Sequence, residues 1–268
     1  MNAQTSDFSR IALRYDATRN IPRDVLDICY DRLIGDGYLA VGEPVLDVGC
    51  GTGQMSIPLA ARGLTIHGID VSGEMIEIAR SKVQPGWRAT FSTGDARDLL
   101  ASDSSFGGAV VSKLFQHIQD WQKACQEIIR VVRPGGHIIH INERGAFGNA
   151  VRRHFAIRAN ELGFARRYLG LDPHTRTGLT EFLVSKGCRP ISIDASGLHW
   201  ETSISYLEAL NQIEEGLFAE FWYLPDDINR RIVADTAAWI NEQSDGPDTV
   251  ERLTPHLAVE VFALPLGS

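Results

Sequence analysis

Nine residues, Val45-Leu46-Asp47-Val48-Gly49-Cys50-Gly51-Thr52-Gly53, constrain this chain more than any other stretch: an apolar strand run ends in an acid and passes straight into alternate glycines. Glycine turns a chain through positive φ without a Cβ clash. A strand that ends in such a turn suits a βα unit of an open parallel sheet, whose ligands bind outside the C-terminal ends of the strands. Bare backbone there lets ligand atoms come close. The dinucleotide fingerprint G-x-G-x-x-G needs a third glycine three positions after its second. Gln54 stands at that place, so the pattern is GxGxG and a Rossmann oxidoreductase is disfavoured.

An ordinary tight βα turn also accommodates GxGxG, but two further strand ends narrow the reading. Ile66-His67-Gly68-Ile69-Asp70 ends in an acid about 20 residues further on, where a carboxylate accepts ribose hydroxyls. Thr93-Gly94-Asp95-Ala96 ends a third run, with Asp95 suited to accept from an adenine amino group. An acid at a strand end also serves as a helix cap. Three acids at three successive strand ends form a more specific set.

Strand patterns over Pro44 to Val48, Thr65 to Ile69, Trp87 to Ser92, Gly108 to Ser112 and His137 to Asn142 alternate with helical spacing over Glu74 to Lys82 and Trp121 to Val132. Arg23 to Ile34 predicts an amphipathic helix opening after Pro22. Beyond the core, Ala150 to Tyr168, Thr175 to Lys186, Ile204 to Tyr223 and Asp227 to Asn241 predict helices. Pro190 to Asp194 and the closing Leu257 to Leu264 predict strands, the latter rejoining the sheet.

With 44% apolar residues, 268 residues are enough for one sizeable core. A net charge of -8, from 26 basic and 34 acidic residues, opposes phosphate-backbone binding. No apolar run approaches a membrane helix, the N-terminal stretch lacks a signal-peptide pattern, and the four cysteines have no metal-ligand spacing. The expectation is a cytoplasmic chain with reduced thiols and neither nucleic acid nor membrane as partner.

On VLDVGCGTG, HGIDVSGEMIEIAR, TGDARDL, LFQHIQDW and EIIRVVRPGGHIIH, the chain resembles the class I S-adenosylmethionine-dependent methyltransferases, especially the small-molecule group of ubiquinone and menaquinone biosynthesis C-methyltransferases. The resemblance covers about residues 8 to 142. It implies an α/β fold: a Rossmann-like seven-stranded sheet, helices on both faces and helical insertions over its C-terminal edge. One domain is expected over 1–268, with a helical cover at 1–43, a cofactor core at 44–142, acceptor-side helices and insertions at 143–256 and a last strand at 257–268.

The resemblance implies S-adenosyl-L-methionine as cofactor and S-adenosyl-L-homocysteine as product. Asp47, Gly49, Gly51 and Gly53 match the loop around its methionine part, Asp70 with Val71 the ribose site, and Met75 the apolar contact beside adenine. Asp95 and Ala96 match the adenine-edge readers, and Lys113 and Leu114 the main-chain contacts after the fourth strand. Tyr15 and Arg19, in RYDATRN, resemble an N-terminal segment that covers the cofactor. Met75 at helical spacing equally suits a core residue.

His117 follows the fourth strand, where a neutral imidazole takes a proton from a hydroxyl, amine or activated carbon. In the family that histidine also serves as a positioning group. His67, His137 and His140 read as core histidines, and no metal is expected. Seven arginines from Arg144 to Arg176 face the acids Glu161 and Asp172; they suit a solvated helix face or a lid for an acidic acceptor. Leu217 to Leu224 suits core or pocket wall.

The function implied is methyl transfer to an O, N or C nucleophile of a small molecule. A nucleic-acid or protein methyltransferase is the alternative, weakened because the fourth strand leads into SKLFQH and not Asn/Asp-Pro-Pro-aromatic. A non-catalytic S-adenosylmethionine-binding protein is the other.

Overall fold

The computed structural model describes residues 8–16, 21–146, 148–165, 168–172 and 177–267. Its strands are β1 (Pro44–Val48), β2 (Thr65–Asp70), β3 (Ala89–Thr93), β4 (Phe106–Ser112), β5 (Val132–Arg144), β6 (Arg189–Ile191), β7 (Thr202–Ser205), β8 (Val250–Leu253) and β9 (His256–Ala263). The chain divides into two compact units: one takes residues to Asn142, Leu169–Leu198 and those from Ala258, the other Glu143–Tyr168 and His199–Leu257.

In the first unit seven strands form one sheet in the order β3-β2-β1-β4-β5-β9-β6. β1 pairs in parallel with both β2 and β4. A central strand covered on both faces reads as a continuous apolar run; Val45, Leu46 and Val48 are accordingly at most 2% exposed. β9 runs antiparallel to β6. Strand order reverses between β1 and β4, so the glycine turn after β1 stands at the switch point where open sheets bind ligands.

Helices cover both faces. Leu46, Val48, Ala109, Val111 and Ile138 share a core with Ala124, Cys125, Ile128 and Val131 of α5 (Trp121–Val131) and with Leu179 and Leu183 of α7 (Thr177–Ser185). Ile128 is fully buried there, so its truncation to Ala costs about 2–5 kcal/mol through lost burial and a cavity. Alternate strand residues point to opposite faces. Asp47, opposite in sense to Leu46 and Val48, accepts a hydrogen bond from Ser56 of α3 (Ser56–Ala61), which places α3 on the other face. α1 (Ala12–Tyr15), α2 (Arg23–Gly35) and α4 (Gly73–Ser81) complete this unit. Ser72 caps α4 by accepting the Met75 N–H at 3.2 Å.

The second unit holds α6 (Ala150–Glu161), α8 (Tyr206–Glu214), α9 (Asp226–Asn241) and the antiparallel pair β7–β8. Two helices are shorter than the periodicity predicts. α6 stops at Glu161, where Gly163 turns left-handed at φ +86° and the Phe164 N–H closes onto Ala159. The predicted helix over 204–223 divides into the end of β7, α8 and a 3-10 turn at Ala219–Phe221. Ser205 accepts the Glu208 N–H at 3.1 Å and starts α8 afresh, and Gly216 at φ +68° ends it. Leu217, Phe218, Phe221 and Leu224 are buried; the last three join Phe155, Leu210 and Ile232 in this unit's core.

Candidate active site

Four loops at the C-terminal ends of β1 to β4 are tied together. The N–H groups of Gly49 and Cys50 both donate to the Ile69 carbonyl at 2.9 Å, and Gly94 donates to the Asp70 carbonyl at 2.9 Å. Gly49, Gly51 and Gly53 stand at φ +70°, +52° and +77°, left-handed values that suit only glycine at low cost. A Cβ on Gly51 would meet no protein atom within 4 Å, so the loop leaves open space over bare backbone.

Asp47 lies beneath this loop at 2% exposure. Burial, with the Asp70 charge adding to it, pushes its carboxyl up to about 7 against the opposing Ser56 hydroxyl. Asp70 accepts from the Gly51 N–H at 2.9 Å and from the Ser72 N–H at 3.0 Å. Burial raises its pKa, opposed by the N–H groups of Ser72, Gly51 and Val71. A carboxylate has about four lone-pair sites, so Asp70 retains acceptor capacity for vicinal hydroxyls. Val71 is exposed beside it, whereas Met75 is 2% exposed within α4.

Asp95 follows β3. Its Oδ1 accepts the Arg97 backbone N–H at 2.9 Å and Nε at 3.0 Å, while Oδ2 accepts Nη2 at 2.7 Å and Nε at 3.2 Å. Arg97 holds the carboxyl below its usual range. Ala96, the next residue, is buried.

At the end of β4, Lys113 adopts φ +51°, a left-handed conformation uncommon for a residue with a Cβ. Leu114 packs against Gly49. His117 closes a 3-10 turn, its N–H donating to the Leu114 carbonyl at 2.9 Å. Its ring meets Phe8 edge-on with centroids 4.8 Å apart, and Phe8 in turn meets Tyr15 at 6.1 Å. The N-terminal segment reaches two more loops: Ser9 and Ser72 hydroxyls lie 2.9 Å apart, and Asp16 accepts from Thr52 and Lys82. Tyr15 thus belongs to a segment that bridges the loops after β1, β2 and β4. Arg19 lies outside the described residues.

His140 is buried, its Nδ1 2.9 Å from Glu260 and its Nε2 3.1 Å from the Asn142 amide. His67 Nδ1 lies 3.0 Å from the Thr90 hydroxyl, and burial lowers the pKa of His137. Among the described residues no group of three or more His, Cys, Asp or Glu is placed to hold a metal. Arg152 pairs with Glu220, Arg153 with Glu251, and Arg158 with Glu161 and Asp235, so these positive charges are already matched. Arg166, Arg167 and Arg176 lie outside the described residues. Sequence reasoning missed Arg97, Thr52, Lys82 and Glu260; only Arg97, two positions beyond an acid in a turn, offered a local signal.

The family described as "Methyltransferase domain" matches residues 45–136, the stretch that contains all four loops. A demethylmenaquinone methyltransferase of Thermus thermophilus is 31% identical over 156 residues, 55% of this chain and 71% of that one. The chain belongs to the class I S-adenosylmethionine-dependent methyltransferase family. An O-methyltransferase of Aspergillus nomiae is 37% identical over 123 residues, 43% of this chain and 55% of its own. The match spans about half the length of several other curated relatives and about 40% of others. The crystal structure of YcgJ from Bacillus subtilis shares the family's fold, with TM-score 0.59, 18% identity and coverage of 91% of this chain and 99% of that one. Against the family's cofactor, the left-handed glycine loop with open space at Gly51 and the acceptor capacity of Asp70 fit a nucleoside with a compact tail. No helix among the described residues is long and apolar enough to cross a membrane.

Proposed function

We propose that this protein transfers the methyl group of S-adenosylmethionine to an O, N or C nucleophile of a small molecule, releasing S-adenosylhomocysteine. The observation that carries the reading is Gly51: a left-handed residue with open space at its missing Cβ, whose N–H fixes the Asp70 carboxylate from the neighbouring strand. Asp70 accepts the ribose hydroxyls with Val71 exposed beside it, Asp95 and the backbone of Ala96 read the adenine edge, and Met75, buried in α4, backs the site as a core residue. Asp47, Gly49, Gly51 and Gly53 shape the loop around the amino-acid end, with main-chain groups of Lys113 and Leu114 beside it. Tyr15 and Arg19 belong to the covering segment.

When bound, the cofactor supplies a methyl on a sulfonium, already activated by its leaving group. The protein's share is then alignment of the acceptor and, where its nucleophile carries a proton, removal of that proton. His117, half-buried beside the end of β4, is the group for that step. Relatives whose names specify O-methylation and a quinone precursor support a small-molecule acceptor and leave the atom open. Matched charges on Arg152, Arg153 and Arg158 give no reason to require an acidic acceptor. Four free, buried cysteines suit a reducing, cytoplasmic setting.

Calorimetric titration with S-adenosylhomocysteine and with NADH tests the cofactor. Binding of the first and not the second is expected, and the reverse overturns the reading. Transfer of labelled methyl from S-adenosylmethionine to phenols, amines or activated carbons then names the acceptor. Transfer only to nucleic acid or protein overturns the small-molecule assignment.

A further inference from the structure

The 3-10 turn Phe115–His117 follows β4 and is a single turn long. A helix end of this kind leaves its last carbonyls open. Those of Phe115 and Gln116 are taken by a stretch far along the chain: the Leu171 N–H donates to the first at 3.0 Å and the Gly170 N–H to the second at 3.2 Å. The approach is closer than a side chain allows. A Cβ on Gly170 would lie far inside van der Waals contact of the Phe115 and Ile118 carbonyl oxygens, which are backbone atoms and cannot swing aside. Leu171 anchors the same stretch, its side chain packed on the core that holds Phe115 and its Cδ1 3.0 Å from the place of a Cβ on Gly178 in α7. Phe115 itself is 2% exposed, its ring 5.5 Å from that of His140 and 6.3 Å from that of Trp121.

We infer that Gly170 is a positioning residue for His117: its missing Cβ lets residues 170–171 clamp the turn through its carbonyls, and the clamp sets where the imidazole stands. This inference rests on the proton-removing role proposed for His117 above. The carbonyl of Gln116 and the N–H of His117 belong to one peptide unit, which is planar. Gly170 holds the carbonyl end, and the N–H end donates to the Leu114 carbonyl at 2.9 Å. With both ends tied, the plane cannot tilt, and the direction in which the His117 side chain leaves the backbone is fixed with it. A displacement of about 1 Å at a reacting group costs on the order of 10²-fold in rate. The clamp therefore acts on turnover and not on cofactor binding.

The test reads the turn directly, by NMR on the full chain, from amide hydrogen exchange and from the His117 Cε1–H resonance, assigned with His117→Gln. Gly170→Ala is expected to speed exchange of the His117 amide by at least about tenfold, the effect of losing two backbone hydrogen bonds. The Cε1–H resonance should shift as well, because the Phe8 ring stands edge-on 4.8 Å from the imidazole. The amides of Gly49 and Cys50 should exchange as in wild type. Unchanged exchange and resonance overturn the clamp. Equally faster exchange at Gly49 and Cys50 overturns it too, since Gly170 would then support the whole unit and not the turn. Should Gly170→Ala fail to fold, Leu171→Pro carries the comparison: it removes the donor to Phe115 and adds no Cβ at 170, and an unchanged His117 amide there overturns the inference. No acceptor enters these measurements, so their failure counts against Gly170 alone. With the acceptor found among phenols, amines or activated carbons, Gly170→Ala is expected to lower kcat while KM for S-adenosylmethionine stays near wild type. Full turnover in His117→Ala would instead overturn the catalytic reading of His117.

Discussion

The side chain of Leu114 fills the space that a Cβ on Gly49 would need, with its Cδ1 2.6 Å from that position. Two residues on, a Cβ on Gly51 would meet nothing within 4 Å. The first glycine therefore answers to the protein's own packing and the second to whatever occupies the open side of the loop.

This contrast separates two substitutions. Gly49→Ala is expected to lower the melting temperature through a clash added to left-handed strain. Gly51→Val should fold, at a cost of about 1–3 kcal/mol for the strained φ, and lose S-adenosylhomocysteine binding by at least tenfold. Thermal unfolding and calorimetry on both variants check this; full affinity in Gly51→Val would move the ligand away from the loop.

Asp70→Ala removes the ribose acceptor and also releases the N–H of Gly51 and Ser72. The expected loss in cofactor affinity is about 1–3 kcal/mol. An unchanged dissociation constant would refute the placement of the ribose.

Asp47 makes stability depend on pH. Its carboxyl is raised from 3.8 to about 7 in the folded chain, so between those values the native state holds the proton that the unfolded chain has lost. Stability contributed by this group is therefore full below 3.8, falls as pH rises and is lost above about 7, with a slope of at most about 1.4 kcal/mol per pH unit. Asp47→Asn should flatten urea-unfolding stability across pH 4 to 7, and a curve parallel to wild type would contradict the burial argument.

For an acceptor that must lose a proton, His117→Ala is expected to lower turnover by about 10²–10⁴-fold while cofactor affinity stays near wild type. His117→Gln should not restore turnover, and its pH profile should differ in shape from that of wild type. Parallel profiles of wild type and His117→Gln with similar maxima would assign His117 to positioning alone.

Much of the first unit was legible because its signals are local. Pro44 to Val48 is a strand at the expected residues, since an apolar run followed by left-handed glycines has few other solutions. β7 was not legible: Ile204 fits the helical spacing of α8, and its partner Glu251 lies far along the chain. Ser205 with Glu208 is a capping pattern that marks the start of α8. Likewise, Asp95 was visible as a strand-end acid, but the use of its lone pairs depends on side-chain direction. The pairing of His140 with Glu260 spans 120 residues and has no local trace.

The position of β9 has a consequence for biosynthesis. It fills the place between β5 and β6, yet it is made only after all of the second unit. While residues 145–257 emerge, β5 presents an unpaired edge, and such an edge is a template for another chain. At about 5–20 residues per second the gap lasts on the order of ten seconds. The window for chaperone capture or intermolecular strand pairing is thus set by the length of chain between β5 and β9, not by the strength of the finished sheet.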